Sequence, residues 1–176
     1  MYRVKFMEVK LRLKNSDDEK FLFDVYAGTR EEELSIVSWT QEQKEEFLRM
    51  QYNAQITYYN QIYPEMEYYI ILRDDIPAGR LMIARLDEEI RVVDIAVISG
   101  QRGLGTGKFL LQRIIDEALP VNKKVVLHVE QNNRAQNLYK RLGFKVAAVE
   151  GFYLRMELAP EKNPTNEMRE LYYENR

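Results

Sequence analysis

The chain has 176 residues, 28 acidic against 26 basic, with one histidine and no cysteine. That length suits one domain with a sizeable core, and the near-balance of charge points to no nucleic-acid or anionic-membrane partner. Without cysteine there is no disulfide, thiolate metal site or cysteine nucleophile, and a single histidine excludes a multi-histidine metal centre.

Residues Val4 to Lys14 alternate in part (Val4, Phe6, Val9, Leu11, Leu13) and predict a strand with an irregularity near Met7-Glu8. Asn15-Ser16-Asp17-Asp18 reads as a turn and N-cap for a helix through Phe21, Leu22, Val25 and Tyr26, broken at Gly28. Thr29 with Glu31-Glu32-Glu33 starts another short helix, and Thr40 with Gln43 forms a capping-box pattern for a longer one reaching about Tyr59. Tyr63-Pro64 ends that block.

The period then changes to that of strands. Tyr68 to Arg73, Pro77 to Leu86 and Ile90 to Ile98 are expected to form a meander, with turns at Asp74-Asp75 and Asp87-Glu88-Glu89. A helix follows from Gly105 to about Leu119, stopped at Pro120. Lys124 to Val129 is a nearly continuous apolar run, as for a strand covered on both faces. Asn132 to Leu142 reads as a helix with Ala135, Leu138, Tyr139 and Leu142 on one side and Gly143 as its C-terminal glycine. Lys145 to Val149 and Phe152 to Leu158 complete an antiparallel pair. Residues 161–176 are polar around Leu171-Tyr172-Tyr173 and are read as a tail or a docked helix. The order predicts one α+β domain over 1–160, with helices on both sides of one sheet.

No apolar run approaches the ~20 residues of a membrane span, and the N-terminal residues carry no signal-peptide pattern. The expectation is a cytoplasmic protein with no membrane partner.

Arg102-Gly103-Leu104-Gly105-Thr106-Gly107-Lys108 lies between a strand and a helix. Glycines let backbone approach a ligand closely, and the first N–H groups of a helix lack intrahelical acceptors, so such a turn suits phosphate or pyrophosphate. It is not a P-loop: Phe109 follows Lys108 where a hydroxyl would hold magnesium, and Arg102 stands in place of the first glycine. The spacing Gly103, Gly105, Gly107 also fails the dinucleotide fingerprint.

Arg102-x-x-Gly105-x-Gly107 resembles the pyrophosphate loop (Q/R-x-x-G-x-G/A) of the GNAT superfamily of N-acyltransferases. One helix and one strand later, Asn132, Ala135, Leu138-Tyr139 and Gly143-Phe144 resemble that family's second motif, N-x-x-A-x-x-L-Y-x-x-x-G-F. The resemblance covers roughly Ile90 to Tyr153. It implies a GNAT-like sheet of about seven mostly antiparallel strands, with the central strands splayed at their C-terminal ends. It also implies acetyl-CoA as cosubstrate and acetyl transfer to a primary amine of a small molecule or peptide.

By the same resemblance, the backbone of Ile95, Ala96 and Val97 would pair with the pantetheine arm and supply an oxyanion donor. The pyrophosphate would rest on Arg102, Gly103, Leu104, Gly105, Thr106, Gly107 and Lys108, with Arg113 as a further source of charge. Asn132 and Ala135 would approach the pantetheine, although Asn132 could equally cap its helix. Tyr139 would be the proton donor to the leaving thiolate, which suits a phenol whose reference pKa is ~10.

For the base, three residues stand out chemically. Asp94 shares by alternation a face with Ile90, Val92 and Ala96, where a carboxylate needs a task or a partner such as Arg80 or Arg85. Glu130 and His128, at the end of the following strand, are the others, each with an ordinary structural explanation. The aromatics Trp39, Phe47, Tyr52, Tyr58, Tyr59, Tyr63, Tyr68 and Tyr69 either line an acceptor pocket or form helix-on-sheet core, and Phe152-Tyr153 border the acceptor side. A non-catalytic acyl-CoA sensor or interaction module is the alternative function, and a homodimer is left open.

Overall fold

The computed structural model describes residues 8–160. Seven strands form one sheet: β1 (Val9–Leu13), β2 (Glu67–Arg73), β3 (Ile76–Arg85), β4 (Glu89–Val97), β5 (Lys124–Glu130), β6 (Lys145–Glu150) and β7 (Tyr153–Leu158). Their spatial order is β1-β2-β3-β4-β5-β7-β6. All neighbours are antiparallel except β4 and β5, which are parallel because a crossover helix joins them. The expected α+β architecture, with its mostly antiparallel seven-stranded sheet, is present. Residues Val4 to Met7 of the first predicted strand, and the segment 161–176, lie outside the described residues.

The helices are α1 (Glu19–Thr29), α2 (Glu31–Ser35), α3 (Gln41–Ile62), α4 (Thr106–Ala118) and α5 (Gln136–Arg141). Two cores lie on opposite faces of the sheet. On one face Leu110, Leu111, Ile114 and Ile115 of α4 pack against Ile83, Ile90, Val92, Val125 and Leu127. On the other, Leu22 and Tyr26 of α1 and Leu48 and Tyr52 of α3 cover Tyr68, Ile70 and Met82. The predicted capping box holds: the Thr40 hydroxyl accepts from the Gln43 N–H, and the Gln43 side chain accepts from the Thr40 N–H. Among the described residues, no helix is long and apolar enough to cross a membrane.

Several expectations need correcting. Gly28 does not break α1, which continues to Thr29. The helix placed at Asn132 starts only at Gln136, after a turn in which the Asn133 Oδ1 accepts from the Ala135 N–H at 2.9 Å. Asn132 therefore caps nothing, and its neighbour supplies the local bond. Strand β5 is covered on both faces only over Val125 to Leu127, since His128 is exposed.

Ile83 pairs with Val92 and Met82 with Asp94, so Val93 is an extra residue without a partner, a β-bulge. A bulge resets side-chain alternation. Ile90 and Val92 belong to the α4 core, as do Ile95 and Val97, whereas Val93 packs into the α1–α3 core. Asp94 and Ala96 thus leave the face of Ile90 and Val92 and point towards α1 and α3.

Three pairs beyond Met82–Asp94, β3 and β4 approach closely at Gly79, where a Cβ would sit 2.2 Å from the Ala96 carbonyl oxygen and 3.0 Å from the Val97 Cα. Both atoms are backbone and cannot step aside. Gly79→Ala is expected to lower stability by about 1–3 kcal/mol through this overpacking, read as a drop in the urea midpoint at unchanged slope. A midpoint equal to the parent's would mean the strands can separate freely there.

Candidate active site

Strands β4 and β5 pair only from Glu89–Lys124 to Val92–Leu127. Both continue, β4 to Val97 and β5 to Glu130, but no longer as a pair. The bulge at Val93 sits at the point where the pairing stops, and a bulge bends the strand that carries it. The β5-facing edge of β4 from Val93 to Val97 is left without a strand partner, so its polar backbone groups, apart from the Val97 carbonyl that accepts from Arg102, are open to a ligand.

A cavity of about 190 Å³ occupies this opening. Asp94, Ile95 and Ala96 border it from β4, and His128, Val129 and Glu130 from β5. Tyr139 of α5 closes one side, while Tyr26, Thr29 and Arg30 of α1 and its end, with Gln55 and Tyr59 of α3, close the other. Asn133 and Tyr153 also border it. Three of the predicted residues, Asp94, Glu130 and Tyr139, therefore meet in one space.

Tyr139 is fixed from several directions. The Gln136 side chain donates to the carbonyls of Glu130 at 3.1 Å and Gln131 at 2.6 Å, clamping the first turn of α5 onto the end of β5. At the other end Gly143 adopts φ +97°, a left-handed conformation that glycine takes without a Cβ penalty. The ring stands 6.0 Å from that of Phe144. Its hydroxyl makes no hydrogen bond among the described residues, and burial, with the charge of Asp94 adding, pushes its pKa up to about 12. The phenol stays a proton donor far above neutral pH.

On the opposite side, Asp94 Oδ2 accepts from Arg80 Nε at 2.7 Å. Of the two arginines proposed as its partner, the structure selects Arg80; Arg85 instead binds Glu117 and Glu67. The Arg80 side chain is 1% exposed and that of Asp94 is 22% exposed. Burial acts to lower the Arg80 pKa, but Asp94, Tyr68 and Tyr52 more than offset it and the net shift is upward. Tyr59, facing the same carboxylate, is raised by burial first and by Asp94 second.

Glu130 is held differently. Its Oε1 accepts from Arg30 Nη1 at 3.1 Å, and the same nitrogen donates to Glu33 at 2.9 Å. His128 lies between Arg91, at 3.1 Å from Nδ1, and Glu150, at 3.0 Å from Nε2. It joins an ion-paired strip of sheet while also bordering the cavity.

The glycine-rich turn has the form expected of an anion cradle. Gly103 and Gly105 have φ +74° and +87°, and a Cβ on either would meet open space. Among the described residues, the backbone N–H groups of Gly103 through Lys108 find no backbone or side-chain acceptor before the bond from Phe109 N–H to Gly105 O. Thr106 Oγ1 is buried and unpartnered. Consecutive unmet donors at the start of a 13-residue helix fit a pyrophosphate. Arg102 is turned elsewhere: Nε donates to Val97 O at 2.9 Å and Nη2 to Gly28 O at 3.1 Å. It ties the end of β4 to the end of α1. Arg113 lies over Phe109 and borders a separate groove beneath α4.

Of the aromatics flagged in the variable region, only Tyr59 borders the cavity. Trp39 packs on Phe47 at 5.2 Å, Tyr52 and Tyr68 are core, Tyr58 is exposed, and Tyr69 packs with the α4 face. Phe152 is exposed, whereas Tyr153 borders the site as expected. Tyr26, Thr29, Arg30, Gln55, Asn133 and Gln136 are not marked as site residues by the sequence.

Residues 30–144 match the sequence model of the acetyltransferase (GNAT) family. Comparison with curated protein sequences gives no significant match. Among solved structures, the fold is similar to the PaiA N-acetyltransferase from Thermoplasma acidophilum in complex with coenzyme A. The TM-score is 0.65 at 17% identity over 86% of this chain and 99% of that one. An acetyltransferase from Thermus thermophilus gives a TM-score of 0.60 at 16% identity over 86% and 96% of the two chains. YncA from Salmonella typhimurium, solved with its cofactor acetyl-CoA, gives 0.53 at 17% identity over 89% and 96%.

Proposed function

This chain belongs to the acetyltransferase (GNAT) family, and we propose that it moves an acetyl group from acetyl-CoA directly to a primary amine. The observation that carries the reading is the opening beyond Val92 and Leu127. There an unpaired strand edge, a protonated Tyr139 and the Asp94 carboxylate border one cavity, and the same strand leads into a turn of unmet N–H donors.

In this reading the amides of Gly103 to Lys108 hold the pyrophosphate, with the Lys108 ammonium adding charge. Arg102 joins them on releasing Gly28 O. The backbone of Ile95 to Val97 orients the pantetheine, Asn132 and Ala135 flank it, and an N–H of the same strand faces the thioester oxygen. Asp94 receives the amine on the α1–α3 side and accepts its proton directly or through one water. Glu130 is the second carboxylate within the same wall. Tyr139 returns a proton to the departing sulfur. The acceptor is a small-molecule or peptide amine, and the protein works in the cytoplasm. Direct transfer suits a chain with no cysteine to carry an acyl group.

Thermal unfolding with and without acetyl-CoA tests the cofactor. At about 100 times its dissociation constant the ligand adds ~2.7 kcal/mol, a rise of roughly 5–10 °C for this size, while ATP and NAD do far less. Thiol release is then followed with 2-phenylethylamine, putrescine, an alanyl peptide and lysine methyl ester. A shift without turnover of any amine would leave an acyl-CoA-binding module. No shift at millimolar acetyl-CoA would defeat the enzyme reading altogether.

A further inference from the structure

Arg80 is an expensive residue to keep where it is. It projects from β3 into the α1–α3 core with its side chain almost completely buried. Nε binds Asp94 at 2.7 Å and Nη2 binds Gln55 Oε1 of α3 at 3.1 Å, but Nη1 is buried with no hydrogen-bond partner among the described residues. Its guanidinium carbon lies 5.6 Å from the Tyr26 ring centroid and 5.9 Å from that of Tyr52. A buried ion pair with an unmet donor is a poor stability device, because apolar residues of similar volume commonly do as well or better. The pair is placed where its cost has a use, since Arg80 and Asp94 both border the cavity across which Tyr139 stands.

The backbone points the same way. The Val93 bulge swings Asp94 off the α4 face onto the face of Arg80, and Gly79, the residue before Arg80, permits a close β3–β4 approach at Ala96 and Val97. Only one carboxylate oxygen of Asp94 is taken by Arg80, so the other is available to a ligand in the cavity.

We infer that Arg80 is the positioning residue of the acceptor site, clamping Asp94 by one oxygen while the other faces the incoming amine, and linking that carboxylate to α1 and α3. The inference rests on the assignment of Asp94 to the amine. Helices that shape the acceptor side, through Tyr26 and Gln55, thereby act on the reacting strand through one guanidinium. Lysine at the position would keep the charge but lose the fork that reaches Asp94 and Gln55 together.

The test compares Asp94→Asn, Arg80→Gln, Arg80→Lys and the Arg80→Gln/Asp94→Asn double variant. Each is assayed with the fastest amine of the panel above, with acetyl-CoA affinity as the check on folding. Crystal structures of the parent and Arg80→Gln give the position of the Asp94 carboxylate. The expected result is a kcat fall of about 10²-fold for Asp94→Asn and ~30–100-fold for Arg80→Gln, with acetyl-CoA affinity within about threefold. The double variant should be no worse than the poorer single by more than ~3-fold, since residues acting as one unit are non-additive. Arg80→Lys should recover part of the loss, and the carboxylate should leave its place in Arg80→Gln.

If Asp94→Asn keeps full kcat, or no amine is turned over, the assignment of Asp94 to the amine fails. If Asp94→Asn is impaired but Arg80→Gln keeps kcat, multiplies with Asp94→Asn in the double variant, or leaves the carboxylate in place, the positioning role fails alone. Should Arg80→Gln not fold, Arg80→Lys decides: kcat equal to the parent's would overturn the inference.

Discussion

Tyr139→Phe is expected to lower kcat by about 10²–10³-fold while leaving the affinity for acetyl-CoA and the melting temperature nearly unchanged. The hydroxyl makes no hydrogen bond among the described residues, so its removal breaks no contact that supports the fold, and the ring with its place against Phe144 remains. On the proposed reading what disappears is a proton for the departing thiolate, and a positioned acid contributes on the order of 10²–10⁴-fold. A loss confined to kcat marks an interaction made in the transition state. Equal losses in acetyl-CoA affinity and kcat would show instead that the hydroxyl serves in binding, and unchanged kcat would remove Tyr139 from the chemistry.

The pH dependence carries a second signature of this residue. Its pKa is raised by burial first and by Asp94 second, to about 12 against an ordinary ~10. No alkaline loss of rate below about pH 11 should therefore be traceable to Tyr139. The sign for stability follows by linkage: the folded chain favours the neutral phenol. Its contribution is complete below pH ~10 and is lost as pH rises towards 12, because the unfolded chain ionises first. Tyr59 and Tyr68, raised by burial in the same direction, add to this alkaline weakening. Tyr139→Phe should flatten part of that decline between pH 10 and 12 in urea titrations.

How far the sequence led depends on which contacts are local. The anion turn and the Tyr139 helix were legible because their determinants sit within a dozen residues: glycines with positive φ at 103, 105 and 143, and a helix face of Ala135, Leu138 and Tyr139. The α1–α3 wall of the cavity was not legible in the same way. Tyr26 and Tyr59 lie on helices whose apolar patterns would look alike if every aromatic were core, and most of them are. Arg30 reaches Glu130 across 100 positions and Arg102 reaches Gly28 across 74. No periodicity in either stretch encodes such bonds. Asp94 stands out in the sequence as an acid in an apolar run, but strict alternation cannot see the bulge that turns it to the other face.

Deleting Val93 should show what that bulge is for, and the expected loss is larger than for any single side chain. Val92 already faces Ile83 and Asp94 already faces Met82, so removing the residue between them leaves a regular ladder with every β3 partner retained. Asp94 stays on the Arg80 face. The bend that carries β4 away from β5 is gone, and the unpaired groups of β4 gain access to those at His128, Val129 and Glu130, which favours continued parallel pairing. The cavity then closes where the proposed reading puts the pantetheine. We expect the acetyl-CoA thermal shift to vanish and turnover to fall at least about 10³-fold, in a protein still folded. The stability change should stay within ~1–2 kcal/mol, the loss of one partly buried valine set against new strand bonds. A deletion variant that unfolds cooperatively yet no longer responds to acetyl-CoA would place the origin of the cleft in one extra residue. A variant that retains the full shift would mean that the divergence of β4 from β5 comes from the helices packed against them, and that Val93 only follows it.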